Sequence, residues 1–255
     1  MKPIINKTSF FLIYLVIFIC SACTYTPWHE EQAEIFLNKG IAYIQSGLYT
    51  NALKELLEAE KYNSRNPKIY YYLAMSYHGK NMNDKAMEEL QKAISLDKNY
   101  SEAHNYLGTL YSDRGLWDKA IEEFEKALSN PLYNTPEMVL YNMAWAYYKK
   151  KDYKTALNKY QDTVRVDNFK RLRPQVEKNM GLIYFDQHDF PTAISHFRKA
   201  VELNPNFVDS HFLLGESYLK INDKTNARKA FQAVVDLAPQ SAFGQKASVY
   251  LQALK

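Results

Sequence analysis

The side chains best able to do chemistry in this chain are six histidines and two cysteines, and their spacing does not suggest a reaction. The histidines are His29, His78, His104, His188, His196 and His211. None has another histidine or a cysteine at the short spacing that zinc ligands use. Phosphate-binding, dinucleotide-binding, metalloprotease and serine-nucleophile motifs are absent from the sequence. We therefore expect no enzyme, no metal, no cofactor and no small-molecule substrate, although an enzyme with an unrecognised site stays an alternative.

The composition predicts a helical protein and gives no sign of a nucleic-acid partner. The 255 residues include only 8 glycines and 9 prolines, and 47% of them are apolar. Few turn-forming residues in a long chain favour long helices over hairpins of strands. The formal net charge is only +4 and no basic run occurs, so the electrostatic footprint of a nucleic-acid-binding protein is missing.

The first 22 residues have the parts of an export signal. Lys2 and Lys7 precede an uninterrupted apolar run from Phe10 to Cys20, and a short small-residue segment follows. This order is typical of a secretory signal peptide. The run is shorter than the roughly 20 residues that a spanning helix needs. An uncleaved anchor stays an alternative, but it would place Lys7 inside the bilayer.

The stretch Ile19-Cys20-Ser21-Ala22-Cys23 resembles a bacterial lipoprotein signal. The resemblance implies that residues 1–22 are removed and that Cys23 is lipidated, with residues 23–32 as a linker. Thr24 after that cysteine, by the same resemblance, points to the periplasmic face of the outer membrane. Cys20 lies inside the signal, so the mature chain has no disulfide.

The rest of the chain repeats one pattern six times. A small residue is followed three residues later by tyrosine, and twelve residues later by alanine. The residue four positions after each alanine is leucine, phenylalanine or tyrosine, and the interval between successive copies is nearly constant. The small residues are Gly40, Ala74, Gly108, Ala144, Gly181 and Gly215, and the alanines are Ala52, Ala86, Ala120, Ala156, Ala193 and Ala227. Each copy reads as two amphipathic helices that cross where only small side chains fit.

The pattern resembles the tetratricopeptide repeat, a helical hairpin of about 34 residues. The resemblance implies an all-α, right-handed α-solenoid of six hairpins plus a C-terminal capping helix. The predicted copies span about 33–66, 67–100, 101–136, 137–173, 174–207 and 208–240, and the capping helix spans 241–255. His104 and His211 occupy a packing position of the repeat. Pairs such as Glu88-Glu89 and Glu122-Glu123 are better explained as solvated faces than as acid–base pairs.

In the resembled family, the first helix of each hairpin lines a concave groove that binds protein segments. Three positions per copy carry over to this sequence. They are Leu37, Ile41 and Ile44; Tyr71, Met75 and His78; Asn105, Thr109 and Ser112; Tyr141, Trp145 and Tyr148; Lys178, Leu182 and Phe185; and Phe212, Glu216 and Leu219. Trp145 with Tyr148 is the candidate hot spot for an apolar segment. Alternatively, neighbouring helices or the longer loops at 130–137 and 167–173 cover these side chains.

The layout of signal, six repeats and little else resembles the pilotin lipoproteins of type IV pilus biogenesis, the PilF, PilW and Tgl group. The local stretch Asn130-Pro131-Leu132-Tyr133-Asn134-Thr135-Pro136 is similar to an insertion of that family. The resemblance implies an outer-membrane adaptor whose partner is the pilus secretin. A general periplasmic scaffold, serving peptidoglycan hydrolases or β-barrel assembly, stays the alternative, because the ending Leu237-Ala238-Pro239-Gln240-Ser241-Ala242-Phe243 partly fits that class.

Overall fold

The structure, a computed structural model, describes residues 27–168 and 170–254, and this part of the chain is helical with no β-strand. Its helices are α1 (Pro27–Gln45), α2 (Tyr49–Tyr62), α3 (Pro67–Gly79), α4 (Asn83–Leu96), α5 (Ser101–Asp113), α6 (Trp117–Leu128), α7 (Pro136–Lys149), α8 (Tyr153–Val166), α9 (Arg173–Asp186), α10 (Phe190–Leu203), α11 (Val208–Lys220), α12 (Lys224–Leu237) and α13 (Ala242–Ala253). The predicted all-α fold of hairpins with a final helix is confirmed. The signal segment and Cys23 lie outside the described residues.

The chain divides into two compact units, and the division falls inside α5 between Ala103 and His104. In the first unit α1 packs on α2 and α3 packs on α4. In the second unit α7 pairs with α8, α9 with α10, and α11 with α12, while α13 covers α12. None of the described helices is both long enough and apolar enough to cross a bilayer.

The hairpins close where the sequence places its small residues. A methyl group added to Gly181 would lie 2.6 Å from the ring of Phe197, and one added to Gly215 would lie equally close, 2.6 Å, to Phe231. Both rings are fully buried, so neither has free space into which it could move. All six late alanines and the six large residues that follow them four positions later are likewise fully buried. The small-residue pattern therefore sets how closely the two helices of a hairpin approach.

The second helices begin in two different ways. Asp152, Asp189 and Asp223 precede α8, α10 and α12, and each carboxylate accepts a hydrogen bond from the backbone N–H three residues later. Leu48, Met82 and Leu116 precede α2, α4 and α6 and give no side-chain cap. The three aspartates satisfy an N–H group that helix geometry leaves unpaired.

The residues 27–32, predicted as linker, are helical and belong to α1, which corrects the sequence interpretation. Pro27 stands at the first helical position, where its missing N–H costs nothing. Trp28 packs edge-to-face on Tyr62 with ring centroids 5.7 Å apart, and Phe36 stacks on the same ring at 5.6 Å. These contacts with α2 extend the helix beyond the repeat pattern.

Two hairpins of the second unit contain the same buried histidine–glutamate pair in opposite order. His104 on α5 meets Glu123 on α6 with 2.6 Å between Nδ1 and Oε2, and Glu177 on α9 meets His196 on α10 at 2.8 Å. A lysine one turn along the second helix, Lys126 or Lys199, contacts the same carboxylate. Burial raises the pKa of both carboxyl groups, but the hydrogen bonds from histidine and lysine outweigh it and hold each pKa below its usual value.

Candidate functional site: the first-helix face

The predicted hot spot forms one face of α7. Tyr141, Trp145 and Tyr148 follow one another at intervals of one helical turn, and each is partly buried. α7 can present them because Pro136 begins it and because the small residues Ala144 and Ala146, both fully buried, turn the opposite side of the helix toward the core. The three aromatic side chains share a partly exposed side of α7, where Tyr141 and Tyr148 also contact Tyr160 and Tyr153 of α8.

Trp145 is the centre of an aromatic and cationic cluster. Its ring centroid lies 5.1 Å from that of Tyr148, and the Nζ of Lys149 lies 4.5 Å above the indole. Tyr148 continues the cluster to Tyr153 at 6.1 Å. An ammonium over an indole is an attractive cation–π arrangement. The cluster therefore offers a partner both a large apolar surface and a positive charge.

A small pocket opens beside Trp145. It has a volume of about 130 Å³ and is lined by Thr109, Ser112, Asp113, Phe124, Asn142 and Trp145. The Ser112 hydroxyl is buried and has no hydrogen-bond partner among the described residues. This volume is below the roughly 300–1,000 Å³ of sites for drug-sized ligands. The pocket is suited to one side chain or peptide group of a bound segment, whose polar atoms could pair with Ser112.

Tyr141 and Tyr148 also connect neighbouring first helices. Asn179 on α9 donates from Nδ2 to the hydroxyl oxygens of Tyr141 and Tyr160, at 3.0 Å each. The Tyr148 hydroxyl donates to Asp186 at 2.9 Å. Burial, together with that carboxylate, raises the pKa of Tyr148. These hydrogen bonds hold α7 against α9 and fix the rings that a partner would contact.

The predicted positions on α9 are engaged in the same way. Lys178 donates to Asp209 at 3.0 Å, and its Nζ lies 5.1 Å from the Phe207 ring centroid. Leu182 and Phe185 are partly buried and pack against the core cluster of the fifth and sixth hairpins. Lys178 is therefore a cross-link between α9 and the segment that begins α11, and Leu182 and Phe185 present only part of their surface.

In the first unit, Tyr71 and Met75 lie one turn apart on α3 and are partly buried. The Tyr71 ring packs on Tyr72 at 5.2 Å and on Tyr100 at 5.4 Å. Two other positions carried over from the resemblance are closed. Leu37 is 1% exposed, and Phe212 is 5% exposed beneath Phe243 and Tyr250 of α13.

Lys149, Asp186 and Asp209 belong to this face, but the sequence analysis did not single them out. A usable signal was present in the spacing. Tyr141–Asn179 and Tyr148–Asp186 have the same separation along the chain, and it is one residue longer than the interval from Ala144 to Gly181 that relates the fourth copy to the fifth. Each side chain therefore bonds to a position one residue further along in the next copy.

The described residues contain no group of three or more histidine, cysteine, aspartate or glutamate side chains that could hold a metal ion. What the face offers is an aromatic and cationic surface beside a small polar pocket, on helices braced by hydrogen bonds. This arrangement is suited to binding a segment of another protein.

Comparison with family models gives one description, tetratricopeptide repeat. The matches cover residues 33–66, 67–100, 89–122, 106–175 and 178–242. A single model accounts for the last two ranges, which together make up more than half of the chain. A curated relative, the mouse peptidyl-prolyl cis-trans isomerase FKBP4, is 31% identical over 108 residues. The chain spans only 24% of that relative's length.

Two solved structures are similar over nearly their whole length. PilF of Pseudomonas aeruginosa superposes with a TM-score of 0.74 at 19% identity, covering 89% of this chain and 99% of PilF. PilW, described as a widely conserved type IV pilus biogenesis factor, superposes with a TM-score of 0.77 at 19% identity, covering 85% of this chain and 98% of PilW. At such identity these likenesses establish the shared fold.

Proposed function

This chain belongs to the tetratricopeptide-repeat family, and from that premise we propose that it is a non-enzymatic adaptor that assists assembly or localisation of the type IV pilus secretin. In this proposal, lipid on Cys23 anchors it to the periplasmic face of the bacterial outer membrane. The first-helix face of the second unit binds the partner segment.

The observation that most supports the binding role is the Trp145 cluster. Trp145, Tyr148 and Lys149 lie together beside a pocket of about 130 Å³, and the Tyr148 hydroxyl is fixed by Asp186. Large aromatic residues on a rigid surface bind with little loss of side-chain entropy, which is why tryptophan and tyrosine dominate interface hot spots. The similarity to PilF and PilW over 98–99% of their chains favours a pilus role.

The partner segment would place an apolar side chain on the exposed part of the indole. Lys149 would favour a segment with an acidic residue near that side chain. Asn142 and Ser112 in the pocket wall can pair with peptide groups, because an amide both donates and accepts hydrogen bonds. The apolar side chain of the partner would then determine which segment binds, and the indole surface that it buries would supply the affinity.

The test is a pull-down of the full-length protein with purified secretin subunit in detergent, using Trp145→Ala and Trp117→Ala. Both tryptophans are in the second unit and partly buried, but Trp117 lies on α6 and packs against a core cluster. We expect Trp145→Ala to weaken secretin binding by about tenfold or more, the usual effect of truncating a hot spot. Trp117→Ala should retain binding. If both variants retain secretin binding equally, the first-helix face around Trp145 is not the secretin-binding surface.

Tyr148 needs a milder change than alanine, because alanine would also remove the hydrogen bond between α7 and α9. Tyr148→Phe keeps the ring and removes the bond to Asp186. The thermal unfolding midpoint of this variant measures how much the bond between Tyr148 and Asp186 stabilises the protein. Its affinity for secretin measures how much binding depends on the ring being held in place by that bond. A variant that unfolds several degrees earlier and binds normally would show that the Tyr148 hydroxyl braces the helices and is not needed for partner binding.

Anchoring has a separate test. Cys23→Ser should leave an unprocessed precursor and remove the protein from the outer-membrane fraction. Normal processing and fractionation of this variant would reject lipidation but leave the binding face untouched. If the wild-type protein captures peptidoglycan hydrolases or barrel-assembly subunits instead of secretin, the general periplasmic scaffold replaces the pilus role.

A further inference from the structure

The sixth hairpin lacks half of the histidine–glutamate pair that the third and fifth hairpins contain. His104 with Glu123 and Glu177 with His196 occupy the same two repeat positions, 19 residues apart. The corresponding residues of the sixth copy are His211 and Ala230. The histidine is therefore present, while the position that would hold its carboxylate has only a methyl group.

A pocket lies at this place. It has a volume of about 280 Å³ and is formed by α10, α11 and α12. Its lining consists of Arg198, Val201, Glu202, His211, Leu214, Tyr218, Asn226, Lys229, Ala230 and Ala233. Ala230, which stands at the position of Glu123 and His196 in the complete pairs, is among these lining residues.

His211 uses one of its two ring nitrogens in a hydrogen bond. In the third and fifth hairpins Nδ1 is the ring nitrogen that meets the glutamate. In His211 the other nitrogen, Nε2, bonds to the Pro205 carbonyl oxygen at 2.9 Å. A carbonyl oxygen only accepts, so Nε2 carries a proton. Nδ1 has no hydrogen bond in the described structure, and when it is also protonated it can donate to a carboxylate.

The rim of the pocket has an excess of positive charge. Arg198 and Lys229 are exposed on α10 and α12, and Glu202 is the one acidic group among the lining residues. In the third hairpin, Lys126 joins His104 at the carboxylate. Arg198 and Lys229 can take that second role in the sixth hairpin. Val201, Leu214, Ala230 and Ala233 form an apolar floor.

We propose that the pocket between α10, α11 and α12 binds a glutamate side chain of a partner protein, which completes the histidine–carboxylate pair of the sixth hairpin. The residues that line this pocket are not among those of the Trp145 cluster, and the proposal does not depend on the proposed pilus role. The carboxylate accepts from His211 Nδ1 and from Arg198 or Lys229, and the neighbouring apolar part of the segment lies on the floor.

A peptide titration tests the binding chemistry. The full-length protein in detergent is titrated calorimetrically with acetyl-Leu-Glu-Leu-amide, and with the glutamine peptide of the same shape as the control. We expect the glutamine peptide to bind about tenfold more weakly, because charge-assisted hydrogen bonds are stronger than neutral ones. The double substitution Arg198→Gln and Lys229→Gln changes two surface residues. It should weaken binding of the glutamate peptide by about the same factor of ten.

Equal affinity for the two peptides, or unchanged affinity in the doubly substituted protein, overturns the proposal. A third peptide, acetyl-Leu-Ala-Leu with a free C-terminal carboxylate, distinguishes the source of the charge. If it binds more tightly than the glutamate peptide, the pocket takes a chain terminus and the side-chain assignment is wrong.

A second test supplies the carboxylate from within the chain. Ala230→Glu should keep or raise the thermal unfolding midpoint, because the new side chain enters the pocket and pairs with His211, and it should abolish binding of the glutamate peptide. Ala227→Glu is the matched control on the same helix, where the alanine is fully buried at the crossing, and it should unfold several degrees earlier. An Ala230→Glu midpoint lowered as far as that of the control contradicts the proposed geometry.

Discussion

Replacing Glu177 with glutamine should destabilise the fifth hairpin by about 2 kcal/mol at neutral pH, because it removes the charge from a buried, hydrogen-bonded carboxylate. The Glu177 side chain is 4% exposed and accepts from His196 Nδ1 at 2.8 Å and from Lys199. Removing one partner of a fully buried ion pair costs about 3–5 kcal/mol. Here the partners can regain water, since the His196 and Lys199 side chains are 20% and 56% exposed. We therefore take the lower figure of about 2 kcal/mol that applies to charge-assisted hydrogen bonds.

The assay is thermal unfolding followed by circular dichroism. A loss of this size should lower the midpoint by about 4–8 °C for a chain of this length. Glu202→Gln, on the exposed side of α10, is the control and should shift stability by less than about 0.5 kcal/mol. A loss at Glu177 no larger than that of the control would refute the assignment of the buried pair.

The pH dependence follows from the direction of the pKa shift. Burial raises the pKa of Glu177, but the hydrogen bonds from His196 and Lys199 lower it by more than burial raises it. The pKa of Glu177 therefore lies below its usual value. A depressed carboxyl pKa contributes stability above the unfolded pKa of roughly 4.3, and this stability is lost as the pH falls through the folded value. The difference between wild type and Glu177→Gln should therefore shrink below about pH 4. A difference that stays constant through the acid range contradicts the argument.

Three other changes test separate features. Gly181→Ala should cost about 1–2 kcal/mol, because its methyl group would lie 2.6 Å from the buried Phe197 ring; an unchanged unfolding midpoint would contradict the close crossing. His188→Gly should raise the free energy of unfolding by about 1 kcal/mol, because His188 has φ of +61°, where residues other than glycine are strained. A lower unfolding midpoint would show that the ring contacts of His188 stabilise the protein by more than this strain costs. Tyr160→Phe should cost about 1 kcal/mol through the lost bond with Asn179, seen as a lower denaturant midpoint with an unchanged slope. A midpoint equal to that of wild type would show that this buried bond adds nothing to stability.

The hairpins were predictable because each depends on local spacing. Gly181 and Phe197 follow the repeat pattern, and the structure brings them together as the pattern requires. The extension of α1 to Pro27 was not predictable from that pattern. It depends on Trp28, which precedes the repeat pattern and packs on Tyr62.

The candidate face was predictable as a set of positions but not as a set of bonds. The sequence places Tyr141, Trp145 and Tyr148 on one side of a helix, and the structure keeps them there. Their engagement by Asn179 and Asp186 depends on how one copy is offset against the next. Phe212 was misjudged for a related reason, since the last copy meets α13 and not another hairpin.

The reversed histidine–glutamate pair affects how alignments of such proteins should be read. The two positions hold Phe36 and Glu55, Tyr70 and Glu89, His104 and Glu123, Leu140 and Lys159, Glu177 and His196, and His211 and Ala230 across the six copies. Scored column by column, the first position mixes aromatic, basic, acidic and aliphatic residues, and the second holds glutamate in three copies but lysine, histidine or alanine in the others. Compared as a pair, the two positions of the third and fifth copies hold the same two residue types in exchanged order, and either order gives the same buried contact. Residue coupling within a single chain can therefore reveal a structural constraint that conservation at each position hides.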